Sequence, residues 1–152
     1  MRNYRSKMHR IKSACTSLKS CAAVAAAALL AACADTSQMG FNATIQDFGD
    51  GRVELITTVT NNSGETKTLS DIDIDNELHK KLSLQPLATI DGDYIPIDNT
   101  ISYTINQELR PSEAYTFRLR GRKSEQFITG DVDFIINNDL FGYRSFPVSC
   151  CQ

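Results

Sequence analysis

Asp71, Asp73 and Asp75 occupy every second position of one stretch. In a strand they would share a face, about 6–7 Å apart. Carboxylates in such a row repel one another, which makes the three calcium candidates, and Asp91, Asp93, Asp131 and Asp133 would extend the set if loops converge. The stretch is not an EF-hand. Its sixth and twelfth positions, Asn76 and Leu82, stand where that loop needs Gly and Glu. The plainer expectation is a strand with an acidic outer face. Arg118, Arg120, Arg122 and Lys123 form the basic cluster of the second half. Arg118 and Arg120 would share the outer face of one strand. They would either pair with a neighbouring acidic strand or dock an anionic partner, such as a cell-wall polymer or an acidic protein surface. His79, between Leu78 and Lys80, is the one histidine after residue 32, and it is expected at the surface. Gly-x-Ser-x-Gly, paired His, Cys-x-x-Cys and Gly-rich phosphate-loop patterns are all missing. The expectation is a non-catalytic protein with no cofactor; a small hydrolase using His79 is the outlying alternative.

The N-terminal segment carries a different signal. Arg2, Arg5, Lys7, Arg10, Lys12 and Lys19 precede a twelve-residue run, Cys21 to Ala32, of only Ala, Val, Leu and one Cys. A basic segment, a short apolar stretch and small residues before a cut make a secretory signal. The run is too short for a membrane span, which takes about 20 apolar residues. Met8 is an alternative start. Leu30-Ala31-Ala32-Cys33 at its end resembles the lipobox of bacterial lipoproteins; an ordinary soluble signal cut near Ala32 is the alternative. The resemblance implies that the sulfur of Cys33 takes a diacylglycerol and that the chain is cut before it. The more than one acyl chain that results gives stable attachment. Cys15 and Cys21 also follow small residues, but neither comes after an apolar stretch. The family often marks inner-membrane retention with Asp directly after the cysteine. Ala34 stands there, which implies the outer membrane in a host with two. Residues 1–32 are thus expected to be the signal, 33–40 a lipidated tether and 41–152 one domain.

Cleavage would change the electrostatics. Residues 1–32 hold six of the 16 Lys and Arg and none of the 18 acids, leaving ten against 18 and a net charge near -8. So acidic a domain argues against nucleic acid or anionic lipid headgroups as partners. About 120 residues suit one core. Cys150 and Cys151 are adjacent. They would form a vicinal ring, bridge another chain, or stay as inert thiols in a frayed tail.

From Phe41 onward the apolar period is two, the mark of half-buried strands. Phe41–Phe48, Arg52–Asn61, Thr66–Asp75, Leu84–Ile90, Tyr94–Ile97, Ile101–Ile105, Tyr115–Leu119, Val132–Ile136 and Tyr143–Val148 read as strands. Asn76 would cap a helical turn with Leu78 and Leu82 at i, i+4 and Glu77 opposite Lys81. Asp91-Gly92 suggests a two-residue hairpin between the fourth and fifth strands, and Pro86 and Pro96 place both at edges. Asn61-Asn62-Ser63-Gly64 suits a turn with positive φ, and Gly121 to Ser124 another turn. Eight or nine short strands predict an antiparallel sandwich.

The Asn-x-x-Gly turn at Asn61–Gly64 and the Leu109-x-Pro111-Ser112-Glu113 turn before Tyr115-x-Phe117-x-Leu119 resemble bacterial immunoglobulin-like modules, over roughly Val53 to Phe134. Those modules commonly carry Gly where Ser112 stands. The resemblance implies an all-β immunoglobulin-like sandwich, a fold that serves many functions. The expected role is a membrane-anchored binding or structural module of the bacterial envelope. The alternative is an accessory subunit of an envelope or secretion assembly that adds a strand to a partner.

Overall fold

The computed structural model describes residues 38–139 and 143–150. The expectations for residues 1–37, including the signal, Cys33 and most of the tether, lie outside them, as does Cys151. Among the described residues nine strands and one short helix follow one another: β1 Met39–Asp47, β2 Arg52–Asn61, β3 Lys67–Asp75, α1 Asn76–Lys81, β4 Gln85–Pro86, β5 Gly92–Ile95, β6 Thr100–Leu109, β7 Ala114–Arg122, β8 Ile128–Ile136 and β9 Tyr143–Cys150. They form an antiparallel β-sandwich with one sheet ordered β1-β2-β7-β4 and the other β5-β6-β3-β8-β9. Strands one, two and seven lie in one layer and three, eight and nine in the other. This is the immunoglobulin-like partition of strands.

Alternation builds the core. Val53, Leu55, Thr57 and Val59 of β2 point inward and are buried. Ile72 and Ile74 of β3, Phe117 and Leu119 of β7, and Val132, Phe134 and Ile136 of β8 meet them. Rings from opposite layers pack at 5.3 Å (Phe41 on Phe134) and 5.1 Å (Tyr103 on Phe117). Such pairs add to burial.

Several local features depart from the sequence pattern, each for a physical reason. The helix is capped by Asp75, not Asn76. The Asp75 carboxylate accepts from the N–H groups of Glu77 (2.7 Å) and Leu78 (3.2 Å), and its backbone is non-helical as a cap requires. Asn76 instead donates to Asn99 Oδ1 at 2.9 Å. Glu77 pairs with Lys80 at 3.6 Å, while Lys81 turns to Glu125 at 3.2 Å. Leu78 and Leu82 are buried as their spacing predicts.

Asp91-Gly92 does not close a hairpin. β4 pairs with β7 and β5 with β6, so the chain crosses between sheets there. Pro86 fits β4 because it stands opposite Leu119, where its missing N–H lies on the side away from β7. Gly92 is needed for space, since a Cβ there would lie 2.6 Å from Ile101 and 2.9 Å from the Tyr103 ring. Gly121 likewise sits inside β7, where a Cβ would meet the Leu82 carbonyl oxygen at 2.0 Å.

The Asn61–Gly64 turn uses no positive φ; the Asn61 side chain builds it. Wholly buried, Asn61 donates to the carbonyls of Glu65 and Leu109, both at 2.8 Å, and accepts from Ser63 N–H at 2.9 Å and Ser63 Oγ at 2.7 Å. The chain's end is not frayed at Cys150 either. Cys150 is 2% exposed, pairs with Ile128 and is disulfide-bonded, its partner lying outside the described residues.

Candidate functional site

The two layers carry opposite charge on their outer faces. On the β2–β7 face, Arg52, Arg118, Arg120 and Arg122 point outward with Glu54. Glu54 stands directly opposite Arg120 and diagonally to Arg118. Its carboxylate is 4% exposed and accepts from Arg118 Nη1 at 2.8 Å and Arg120 Nε at 3.1 Å. The Arg118 hydrogen bond, aided by Arg120, holds the Glu54 carboxyl below its ordinary pKa against the opposing effect of burial. The two arginines therefore hold one internal carboxylate, from a strand whose only acid is Glu54, and not a neighbouring acidic strand. Arg122 is exposed and makes no ion pair among the described residues. Lys123 pairs with Asp47. Glu54 was missed by sequence inspection; its outward position beside two strand arginines is the signal that would have found it.

The other face is acidic. Register sets Asp93, Ser102, Asp73, Asp133 and Ser145 in one row across five strands. Asp71 accepts from Thr104 Oγ1 at 3.1 Å, and Asp75 is spent on the helix cap. The three candidate carboxylates thus do not share one environment. Asp73 is only 2% exposed and Asp133 5%, because β3 and β8 are interior strands of their sheet. This corrects the expectation of a uniformly solvated acidic face. Asp91 and Asp93 are exposed. Among the described residues, no group of three or more His, Cys, Asp or Glu side chains is placed to hold a metal ion.

His79 is not a surface residue. It is half-buried, and its Nε2 lies 2.9 Å from the Tyr103 hydroxyl. Burial lowers the His79 pKa and pushes Tyr103 up to about 12, and both shifts favour the neutral forms.

The edges of the sandwich differ. Along one side β1 packs against β9. Along the other, β4 covers β7 only at Leu119 and Arg120, and Leu87 N–H adds one bond to the Arg118 carbonyl at 3.2 Å. From Ala114 to Phe117, β7 has no strand partner on that side among the described residues. A groove of about 200 Å³ opens there, lined by Leu87, Ala88, Tyr115, Thr116, Phe117 and Arg118. Leu87 is 49% exposed.

No protein-family model matches the sequence, and no curated protein does. Solved structures with a similar arrangement are distant in sequence. The exo-β-N-acetylglucosaminidase of family GH20 from Vibrio harveyi, in complex with N-acetylglucosamine, is 10% identical with a TM-score of 0.42, over 73% of this chain and 17% of that one. The apo PCuAC domain from PmoF1 is 10% identical with a TM-score of 0.39, over 76% of this chain and 95% of that domain. The chain thus spans under a fifth of the glucosaminidase.

Proposed function

We propose that the chain is a lipid-anchored, non-catalytic binding module of the bacterial envelope, held at the outer membrane where the host has two. The observation that carries this is Leu30-Ala31-Ala32-Cys33, directly after the apolar run and six positions ahead of β1 at Met39. A tether so short keeps the sandwich close to the bilayer. It enters at the end where Asn62 N–H donates to the Gln38 carbonyl at 2.9 Å, leaving α1 and the β7–β8 loop at the far end. A net charge near -8, from ten cations against 18 acids after residue 32, suits a domain repelled by anionic headgroups and held by acyl chains instead.

The test is metabolic labelling with a fatty-acid analogue. Cys33→Ser should lose the label and accumulate as precursor. Equal labelling of the variant would overturn the proposal. So would a disulfide mapped to Cys33 in the isolated protein, since an alkylated sulfur cannot form one.

One observation favours the second alternative, an accessory subunit that docks by strand addition: the uncovered half of β7. A pull-down from membranes separates the two, because a subunit brings down stoichiometric partners and a lone module does not.

A further inference from the structure

We infer that the uncovered edge of β7, from Ala114 to Thr116, takes an extended acidic segment of a partner protein as a fifth strand of the four-stranded sheet. This rests on the strand-addition alternative stated above and assigns its site.

The backbone phase is fixed by hydrogen bonds at both ends. The Phe117 carbonyl accepts from Thr57 Oγ1 at 3.2 Å and the Glu113 carbonyl from Asn61 N–H at 2.9 Å, so odd-numbered residues face β2. The Arg118 carbonyl accepts from Leu87 N–H at 3.2 Å, so even-numbered residues face the other way. The N–H and C=O of Ala114 and Thr116 therefore point out of the sheet, toward an incoming strand. Proteins usually guard such an edge. Here the guard is the two-residue β4, which ends at Pro86 before it reaches Thr116.

Side chains add specificity. Tyr115 and Phe117 floor the groove and Leu87 and Ala88 wall it, so one apolar residue of the added strand would enter. The next residue would face the outer surface beside Arg118. Glu54 occupies one Nη of that guanidinium, and a guanidinium has five N–H donors. Of the arginines that point outward from β2 and β7, Arg118 borders the open stretch, so an acidic residue at the outward position of the added strand complements it. A second copy of this chain does not. Antiparallel pairing of two β7 edges about Thr116 would set Arg118 opposite the uncharged Ala114 of the copy, so the copy offers no acidic side chain at that outward position.

The test uses the full chain in detergent and three capped hexapeptides. One alternates valine and glutamate, one alternates valine and lysine, and one is the glutamate peptide N-methylated at alternate residues. The glutamate peptide should bind at least tenfold more tightly than the lysine peptide and slow hydrogen exchange at the Thr116 amide. N-methylation should abolish binding. Ala88→Arg, at an exposed position that fills the groove, should weaken binding at least tenfold with the melting temperature unchanged. Equal binding of the two charged peptides, or binding without protection of Thr116, would overturn the assignment. So would protection of Thr116 by dimerisation without peptide, which would place a second copy there. Fatty-acid labelling is independent of this outcome, so loss of peptide binding with labelling intact overturns the edge and leaves the anchor standing.

Discussion

Single side chains on this sandwich do more than their positions in the sequence suggest. The outward phase of Arg118 implies a nearly free substitution, because surface changes usually move stability by less than about 1 kcal/mol. Its bond to the buried carboxylate of Glu54 changes that expectation. Arg118→Asp removes one donor and sets a second carboxylate against the first, so it should destabilise by about 1–3 kcal/mol, the range for stranding a buried polar group. A urea melt showing no loss would mean that Arg120 holds Glu54 alone. His79 gives a pH signature. Burial lowers its folded pKa below the unfolded value, so the unfolded chain binds the proton first. Stability should hold above the unfolded pKa of about 6.5 and fall as pH drops below it. His79→Gln should flatten that fall below about pH 6.5, measured by chemical denaturation at each pH. Tyr103 acts in the opposite sense. Its pKa, raised to about 12 by burial, makes stability decline as pH rises above about 10, the unfolded value.

At the scale of elements, the turns show which conformations the chain had to reach. Ser112 adopts φ +67 in the β6–β7 turn, the left-handed region that favours glycine. The immunoglobulin-like turn motif carries Gly at that place, so the sequence departs from the motif while the backbone keeps its shape. Ser112→Gly should relieve strain of about 1 kcal/mol, offset in part by the larger entropy of the unfolded chain. The expected net effect is a melting temperature unchanged or raised by a few degrees, with the fold intact. A clear drop would show that the Ser112 side chain contributes more than the strain takes away. The asparagine pair Asn137 and Asn138, at φ +55 and +54, meets the same demand after β8 with a residue that, after glycine, tolerates that region well.

The whole molecule is a two-layer object with unlike faces, arginine-rich outside β2 and β7 and aspartate-rich outside β3 and β8. Simple ionic screening, with a Debye length of about 8 Å near 0.15 M, should act on both. Because Asp75 caps α1 and Asp73 is buried among its neighbours, calcium and sodium chloride at matched ionic strength should shift the melting temperature of the full chain equally. A rise seen only with about 5 mM calcium, several times the dissociation constants typical of extracellular modules, and lost in Asp73→Asn, would make the acidic face a metal site.

The strands were legible in the sequence because alternation is local. Val53-Leu55-Thr57-Val59 and Ile72-Ile74 announce their inward face without reference to any partner, and turn residues separate them. The sandwich class follows from the same pattern. What tertiary structure alone decided depends on which strands become neighbours. Register set Glu54 against Arg118 and Arg120, and burial at interior strands took Asp73 out of solvent. A helix start chose Asp75 over Asn76 because only its carboxylate reached two free N–H groups. Sheet assignment split the Asp91-Gly92 signal between two layers, and the brevity of β4 left half of β7 open. None of these is written in a short window of sequence, because each is a relation between residues far apart in the chain that meet only once the two sheets close on one core.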